Sequence, residues 1–266
     1  MQDDEIAAYA ARLDHAERTR QQIRAVSVER PGATVADAYR IQRAWVDLKL
    51  GAGRTVRGHK IGLTSKAMQA ALGIGEPDSG VLFDDMVFPD GGVVPVERFI
   101  GLRIEAELAF VLGRPLRGPG CTIFDVLTAT DYVTPALEIL DTRVFRADPE
   151  TGAPRTVVDT IADNAANAGL VLGGRPFRAA DQDMRWIGAI CLKNGAVEET
   201  GLAAGVLNHP AHGIAWLANR MAERGGGLEA GQVVLSGSFI RPVEVGRGDT
   251  VTADYGPFGS VSCHFG

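Results

Sequence analysis

The stretch Arg103-Ile104-Glu105-Ala106-Glu107-Leu108-Ala109-Phe110-Val111-Leu112 sets two carboxylates into an otherwise apolar run. Its composition predicts a strand over 104–112. Side chains alternate across a strand, so Ile104, Ala106, Leu108, Phe110 and Leu112 share one face, and Arg103, Glu105 and Glu107 share the other. Two like charges held roughly 7 Å apart on a half-buried face repel and are costly to desolvate. A divalent cation would compensate them. Mg²⁺ and Mn²⁺ take oxygen ligands and keep positions open for water or substrate. The competing reading is a solvated strand face with Arg103 as partner.

A third acid weighs toward the metal. Thr134-Pro135-Ala136-Leu137-Glu138-Ile139-Leu140-Asp141 is a second apolar, strand-like run, and Glu138 is a lone charge within it. Three carboxylates from two strands would offset one divalent ion and leave part of its shell free. Asp141 is an alternative third ligand, better suited to a strand end. Lys60, in Gly58-His59-Lys60-Ile61-Gly62-Leu63, has glycines and apolar residues around it that suggest a lysine emerging from packed structure, but on the residues alone the default of an exposed lysine is favoured. Glu76-Pro77-Asp78-Ser79-Gly80 is an acidic turn, and turn chemistry alone accounts for Pro77 and Asp78. Asp163-Asn164-Ala165-Ala166-Asn167 reads as a polar loop.

Other chemistries lack their residues. Gly53 and Gly58 have phosphate-loop spacing, but His59-Lys60-Ile61 follows where Lys-Ser/Thr is needed. No Gly-x-Gly-x-x-Gly opens a helix, and no Gly-x-Ser-x-Gly elbow occurs. His209-Pro210-Ala211-His212 lacks the glutamate and spacing of a zinc protease.

The elements that must position these groups change character along the chain. Residues 5–50 read as helical, with Ile6, Tyr9 and Leu13 on one face and Thr34-Val35-Ala36-Asp37 as a capping box for a second helix. Gly51-Ala52-Gly53 ends that helix, and a boundary is expected near residue 52, dividing 1–52 from 53–266. Strands are predicted at 55–57, 81–83, 104–112, 168–172, 186–192, 232–239, 242–245 and 249–254, with helices at 64–73 and 214–224.

Composition narrows the partners. The chain has 266 residues, 45% of them hydrophobic, enough for a sizeable core. A net charge of -6 supplies no basic field for nucleic acid or an anionic membrane. No apolar run approaches the ~20 residues of a membrane helix, and the acidic start Met1-Gln2-Asp3-Asp4-Glu5 is unlike a signal peptide. Cys121, Cys191 and Cys263 are odd in number and far apart, which fits a reducing cytoplasm.

The segments "GHKIGLTSKAMQ" (58–69), "EPDSGVLFDDM" (76–86), "RIEAELAFVLGRPLRGP" (103–119), "ATDYVTPALEILDTR" (129–143), "DNAANAGLVLGGRP" (163–176) and "VLSGSFIRPV" (234–243) together resemble the 2-oxopent-4-enoate hydratase family of the fumarylacetoacetate hydrolase superfamily. The likeness spans nearly the whole chain. It implies an α+β fold, with a helical N-terminal part before a large, mixed, rolled β-sheet. It implies Mg²⁺ or Mn²⁺ held by Glu105, Glu107 and Glu138, with Lys60 as active-site lysine and Asp78 as its acidic companion. Many hydrolases of the superfamily carry a lysine after the third metal acid. Residues 147–192 contain none, which favours the hydratase and decarboxylase branch.

The implied substrate is a small 2-oxo acid. Segments 58–69, 129–141 and 199–219 resemble most the branch that hydrates a seven-carbon dicarboxylate, 2-oxo-hept-4-ene-1,7-dioate, in aromatic catabolism. The alternatives are hydration of five-carbon 2-hydroxypentadienoate, decarboxylation of 2-oxo-3-hexenedioate, and a non-catalytic scaffold, against which the intact Glu105, Glu107, Glu138 and Lys60 argue. Lys60 and Asp78 are the acid-base candidates, with burial near a metal expected to lower the lysine's pKa toward neutrality. Asp163, Asn164 and Ser238 are expected to hydrogen-bond substrate or water. Arg57, Lys66 and Arg143 are the candidates for its far carboxylate. The resemblance also implies a ring-like homo-oligomer, a pentamer or decamer.

Overall fold

The helical start resolves into α1 (Asp3–Thr19), α2 (Val26–Glu29) and α3 (Val35–Gly51). The capping box at α3 is formed: Thr34 Oγ1 accepts from the Asp37 N–H at 3.2 Å, and the Asp37 carboxylate accepts from the Thr34 N–H at 3.1 Å. The computed structural model describes residues 1–66, 69–70 and 74–266. Of the helix expected over 64–73, Lys66, Gln69 and Ala70 are helical, and residues 67, 68 and 71–73 lie outside the described residues.

Beyond the helices the chain builds two sheets. The larger one takes β1 (Val56–Gly62), β2 (Asp78–Phe83), β3 (Val87–Phe88), β5 (Arg103–Leu112), β6 (Thr130–Leu140), β7 (Asn167–Leu172), β10 (Val233–Leu235) and β11 (Val243–Glu244). Its strand order is β2-β1-β10-β5-β6-β7-β3, with β11 also on β5. Pairing is antiparallel except at β1–β10 and β3–β7, so the sheet is mixed, as expected. The smaller sheet runs β4 (Gly92–Val94), β13 (Ser260–Phe265), β12 (Thr250–Asp254), β8 (Gly188–Lys193), β9 (Ala196–Leu202). Three further helices are α4 (Ile123–Ala129), α5 (Val157–Ala162) and α6 (Ala211–Ala222).

The alternation along β5 sorts its side chains onto two cores. Ile104, Leu108, Phe110 and Leu112 pack with the second sheet and with α4 and α6. On the opposite face, Ala109 joins Ala136, Leu82, Leu170 and Leu235 beneath Leu13, Ile41 and Trp45 of α1 and α3. Trp45 meets Phe83 edge-on at 5.8 Å between centroids. Glu105 and Glu107 belong to this second face, beyond the edge of its apolar patch.

The strand expected over 232–239 stops at Leu235. Gly237 adopts φ +114°, and its N–H leaves the ladder to reach the Glu107 carboxylate at 2.8 Å. The end of β10 is therefore part of the site.

Candidate active site

Register places the polar groups on one face of the large sheet. Directly opposed residues in a ladder point to the same side. Glu105 opposes Glu138 and Glu107 opposes Ala136 across β5–β6. Ala109 opposes Leu235, Leu235 opposes Lys60, and Gly62 of β1 opposes Asp78 of β2. The two acids singled out by strand parity therefore share a face with Glu138, Lys60 and Asp78.

The three glutamates converge, with one carboxylate oxygen from each within 4.8 Å of the others. Glu107 and Glu138 are buried and Glu105 is half-buried. Each buried carboxylate has one oxygen fixed by the protein and one left over. Glu138 Oε1 accepts from Asn167 Nδ2 at 2.8 Å and lies 3.3 Å from Lys60 Nζ, while its Oε2 has no partner among the described residues. Glu107 Oε2 accepts from the Gly237 N–H, while its Oε1 has none among them. Burial, then Glu138, pushes the Glu105 carboxyl up to about 8, and burial with Glu138 and Glu105 pushes Glu107 well above the usual carboxylate range. Crowded, orphaned carboxylate oxygens fit a hard divalent cation, with donors behind them to hold their orientation.

Lys60 is buried at 4% exposure, as its glycine-flanked, apolar surroundings suggest. Its Nζ donates to the Ala165 carbonyl at 3.0 Å besides facing Glu138. The protein's own groups do not bring its pKa down toward neutrality, so the expected fall rests on the metal. Burial alone would lower it, but Glu138, Asp78, Glu105 and Glu107 together outweigh burial and hold the ammonium. Asp78 is 2% exposed, with Oδ1 unpartnered, and burial raises its pKa against the opposing pull of Lys60. Both groups crowd the Cα of Gly62. A Cβ there would sit 2.2 Å from Asp78 Oδ1 and 3.1 Å from Lys60 Nζ, so only glycine admits the pair at this approach.

The polar loop 163–167 supports the site from behind. Asp163 pairs with Arg143 through Arg143 Nε and its backbone N–H, and Arg143 also donates to the carbonyls of Asn167 and Asp163. Asn164 uses its amide on both backbone groups of Val81, at 2.8 and 2.9 Å. Those pairings hold three successive non-glycine residues, Asn164, Ala165 and Ala166, at φ of 52°, 53° and 58°, a sparsely populated conformation that aims the Ala165 carbonyl at Lys60. The expectation that Asp163 and Asn164 contact substrate is thus corrected, because their side chains are engaged by Arg143 and Val81. Arg143 is likewise removed from the candidates for the far carboxylate. Asp141 accepts from the N–H groups of Ile100 and Gly101 and anchors that loop, as suits a strand end.

A cavity of about 530 Å³ opens onto Lys60, Asp78 and Glu105. Ser238 lines it, with its hydroxyl donating to the Ile240 carbonyl at 2.9 Å. Leu140, Val157, Phe239 and Ile240 give it apolar wall. Arg57 and Lys66 are exposed and outside its lining. Arg155 and Arg241 line it instead, and neither stands out in the sequence. Each lies outside the strands and helices, where no periodicity says which way a side chain points. Asn167, behind Glu138, has no sequence signal beyond its place in a polar loop. A larger cleft, about 660 Å³, lies beside α1 and α3, but its charges pair among themselves, as Lys49 does with Asp14 and Glu17 and Arg54 with Asp85.

Residues 51–265 match the family model described as fumarylacetoacetate (FAA) hydrolase C-terminal. The chain belongs to the fumarylacetoacetate hydrolase family. Within that family it is 61% identical to 2-oxo-hept-4-ene-1,7-dioate hydratase of Escherichia coli, over 96% of each chain. It is 40% identical to 4-oxalocrotonate decarboxylase of Pseudomonas sp. (strain CF600), over 98% of this chain and 97% of that one. Among solved structures, 4-oxalocrotonate decarboxylase from Pseudomonas putida G7, complexed with magnesium and adipate, superposes with a TM-score of 0.93 at 37% identity, covering 100% of this chain and 98% of that one. The α+β fold with a mixed sheet is the family's. No described helix is long and apolar enough to cross a membrane.

Proposed function

We propose that this chain is a Mg²⁺-dependent hydratase that converts 2-oxo-hept-4-ene-1,7-dioate, through its 2-hydroxydienoate tautomer, to 4-hydroxy-2-oxoheptanedioate by net addition of water. The observation that carries the reading is the 61% identity to the E. coli hydratase across nearly the whole of both chains, against 40% for the decarboxylase. The magnesium in the P. putida decarboxylase supports Mg²⁺ as the ion.

Glu105, Glu107 and Glu138 would hold the cation, which when bound supplies Lewis acidity toward the carboxylate and keto oxygens of a 2-oxo acid. Lys60 lies beside those carboxylates, with two of its three N–H donors directed at Glu138 and Ala165. Its role is to steady negative charge that develops on the substrate as protons move. Asp78, whose carboxyl burial holds above the ordinary range, is the group suited to exchange protons with carbon and with water. Protonation of the dienol at C5 leaves a C3–C4 double bond conjugated to the ketone. Water then adds at C4, and C3 takes a proton.

Product analysis tests the reading. The Mg²⁺-loaded protein is given 2-hydroxyhepta-2,4-diene-1,7-dioate and, separately, 2-hydroxypenta-2,4-dienoate. The expected product has gained one water and released no CO₂, with kcat/KM about 10- to 100-fold higher for the seven-carbon substrate, the worth of one charge-assisted pairing. Equal values, or a preference for the five-carbon acid, would point to general dienoate hydration. CO₂ release from 2-oxo-3-hexenedioate, offered as a third substrate, would point to decarboxylation.

A further inference from the structure

We infer that Arg155 binds the second carboxylate of the substrate and so sets a preference for dicarboxylic 2-oxo acids, an assignment that rests on the reading above. Among the described residues, the cavity wall carries three cations, Lys60, Arg155 and Arg241. Lys60 is enclosed by Glu138 and the Ala165 carbonyl. Arg241 is 84% exposed and already paired with Glu199 at 2.6 Å. Arg155 is half-buried, and among the described residues its side chain makes one hydrogen bond, from Nη1 to the Thr142 hydroxyl at 2.9 Å. It makes no salt bridge with a carboxylate among the described residues. A guanidinium has five N–H donors in a planar fork that matches a carboxylate two bonds at a time. Burial weighs most against its charge, Asp163 favours it, Arg103 and Arg143 oppose it, and the balance still falls below the usual guanidinium range. An anion arriving in the cavity would relieve that imbalance. The glutamates would hold an ion for the 2-oxo acid end, so the far carboxylate needs a separate cation, and Arg155 is the cavity cation that makes no salt bridge among the described residues. The apolar wall from Leu140, Val157, Phe239 and Ile240 suits the carbon chain that joins the two ends.

The test is equilibrium binding, by calorimetry on the Mn²⁺-loaded protein, of two saturated probes that do not react. 2-Oxoheptanedioate and 2-oxoheptanoate share the 2-oxo acid end and differ in the far carboxylate. Wild type is expected to prefer the dicarboxylate about 10- to 100-fold. Arg155→Gln is expected to lose that preference, and Arg155→Lys, which keeps the charge without the fork, to keep part of it. A preference undiminished in Arg155→Gln overturns the assignment. So does equal weakening of both probes, an absence of preference in wild type, or loss of the preference from Arg241→Gln in its place. Where Arg155→Gln does not fold, Arg155→Lys decides, and a preference equal to wild type overturns the assignment. Binding of inert probes is independent of turnover. A wild type that prefers the dicarboxylate yet hydrates neither dienoate would sink the hydratase reading and leave Arg155 standing.

Discussion

At Glu138, two donors from the protein face one carboxylate oxygen and none faces the other. That asymmetry is beyond the reach of sequence, but the residue itself is not. A charge inside an apolar strand run needs a reason, and the alternation of β5 by itself sets Glu105 and Glu107 on one face. Lys60 is not legible from its neighbours alone, because an exposed lysine is the default, and the family resemblance is what singles it out. Asp163 and Asn164 mislead because their partners, Arg143 and Val81, lie 20 and 83 residues away, and nothing local reports such pairings. Lys60 can be tested apart from the acids. In Lys60→Ala the three carboxylates remain, so Mn²⁺ should still bind, while kcat should fall about 10²- to 10³-fold as expected for a group that stabilises charge developing on the substrate. Paired metal titration and turnover assays read both. A wild-type kcat in that variant would leave Asp78 as the acting group and remove Lys60 from the mechanism.

Among the elements, long and regular ones are legible in the sequence and short ones are not. The predicted strand over 104–112 is β5 with one residue added, because ten residues of alternating pattern leave little choice of register. The helices α4 and α5, of 7 and 6 residues, are too short to show a helical period. β9 reads Ala-Val-Glu-Glu-Thr-Gly-Leu, mostly exposed, and carries no apolar alternation to find. β10 ends early because the Gly237 N–H serves Glu107. The connection from β6 to β7 depends on the Arg143–Asp163 pair, whose side chains are 2% and 1% exposed. Arg143→Met would strand a buried carboxylate and should lower stability by about 3–5 kcal/mol, with most of that recovered in the Arg143→Met/Asp163→Leu double variant. Urea unfolding of both compares them directly. Equal stability of single variant and wild type would show that the pair does not hold this connection together.

Across the whole molecule, the site sits where a sheet covered by helices stops being apolar. α1 and α3 lie over Leu82, Ala109, Ala136, Leu170 and Leu235, so the change in composition near residue 52 divides two kinds of element that share one core. Tyr255, after β12 of the smaller sheet, approaches from the other side and directs its hydroxyl at the backbone carbonyls of Glu107 and Ala136, at 2.8 and 2.9 Å. Both sheets thus fix the strands that carry the glutamates. The central claim is that this scaffold holds three mutually repelling carboxylates in place for one divalent ion, without which the chemistry stops. Its most direct measurement is a Mn²⁺ titration of chelator-dialysed protein, run beside the hydration assay in wild type and Glu107→Ala. The account predicts that dialysed wild type is inactive, that it binds Mn²⁺ and that Mg²⁺ or Mn²⁺ restores turnover. Glu107→Ala should bind the ion far more weakly and stay inactive at limiting metal. Full hydration by protein shown to be metal-free by elemental analysis, or wild-type Mn²⁺ affinity in Glu107→Ala, would contradict it.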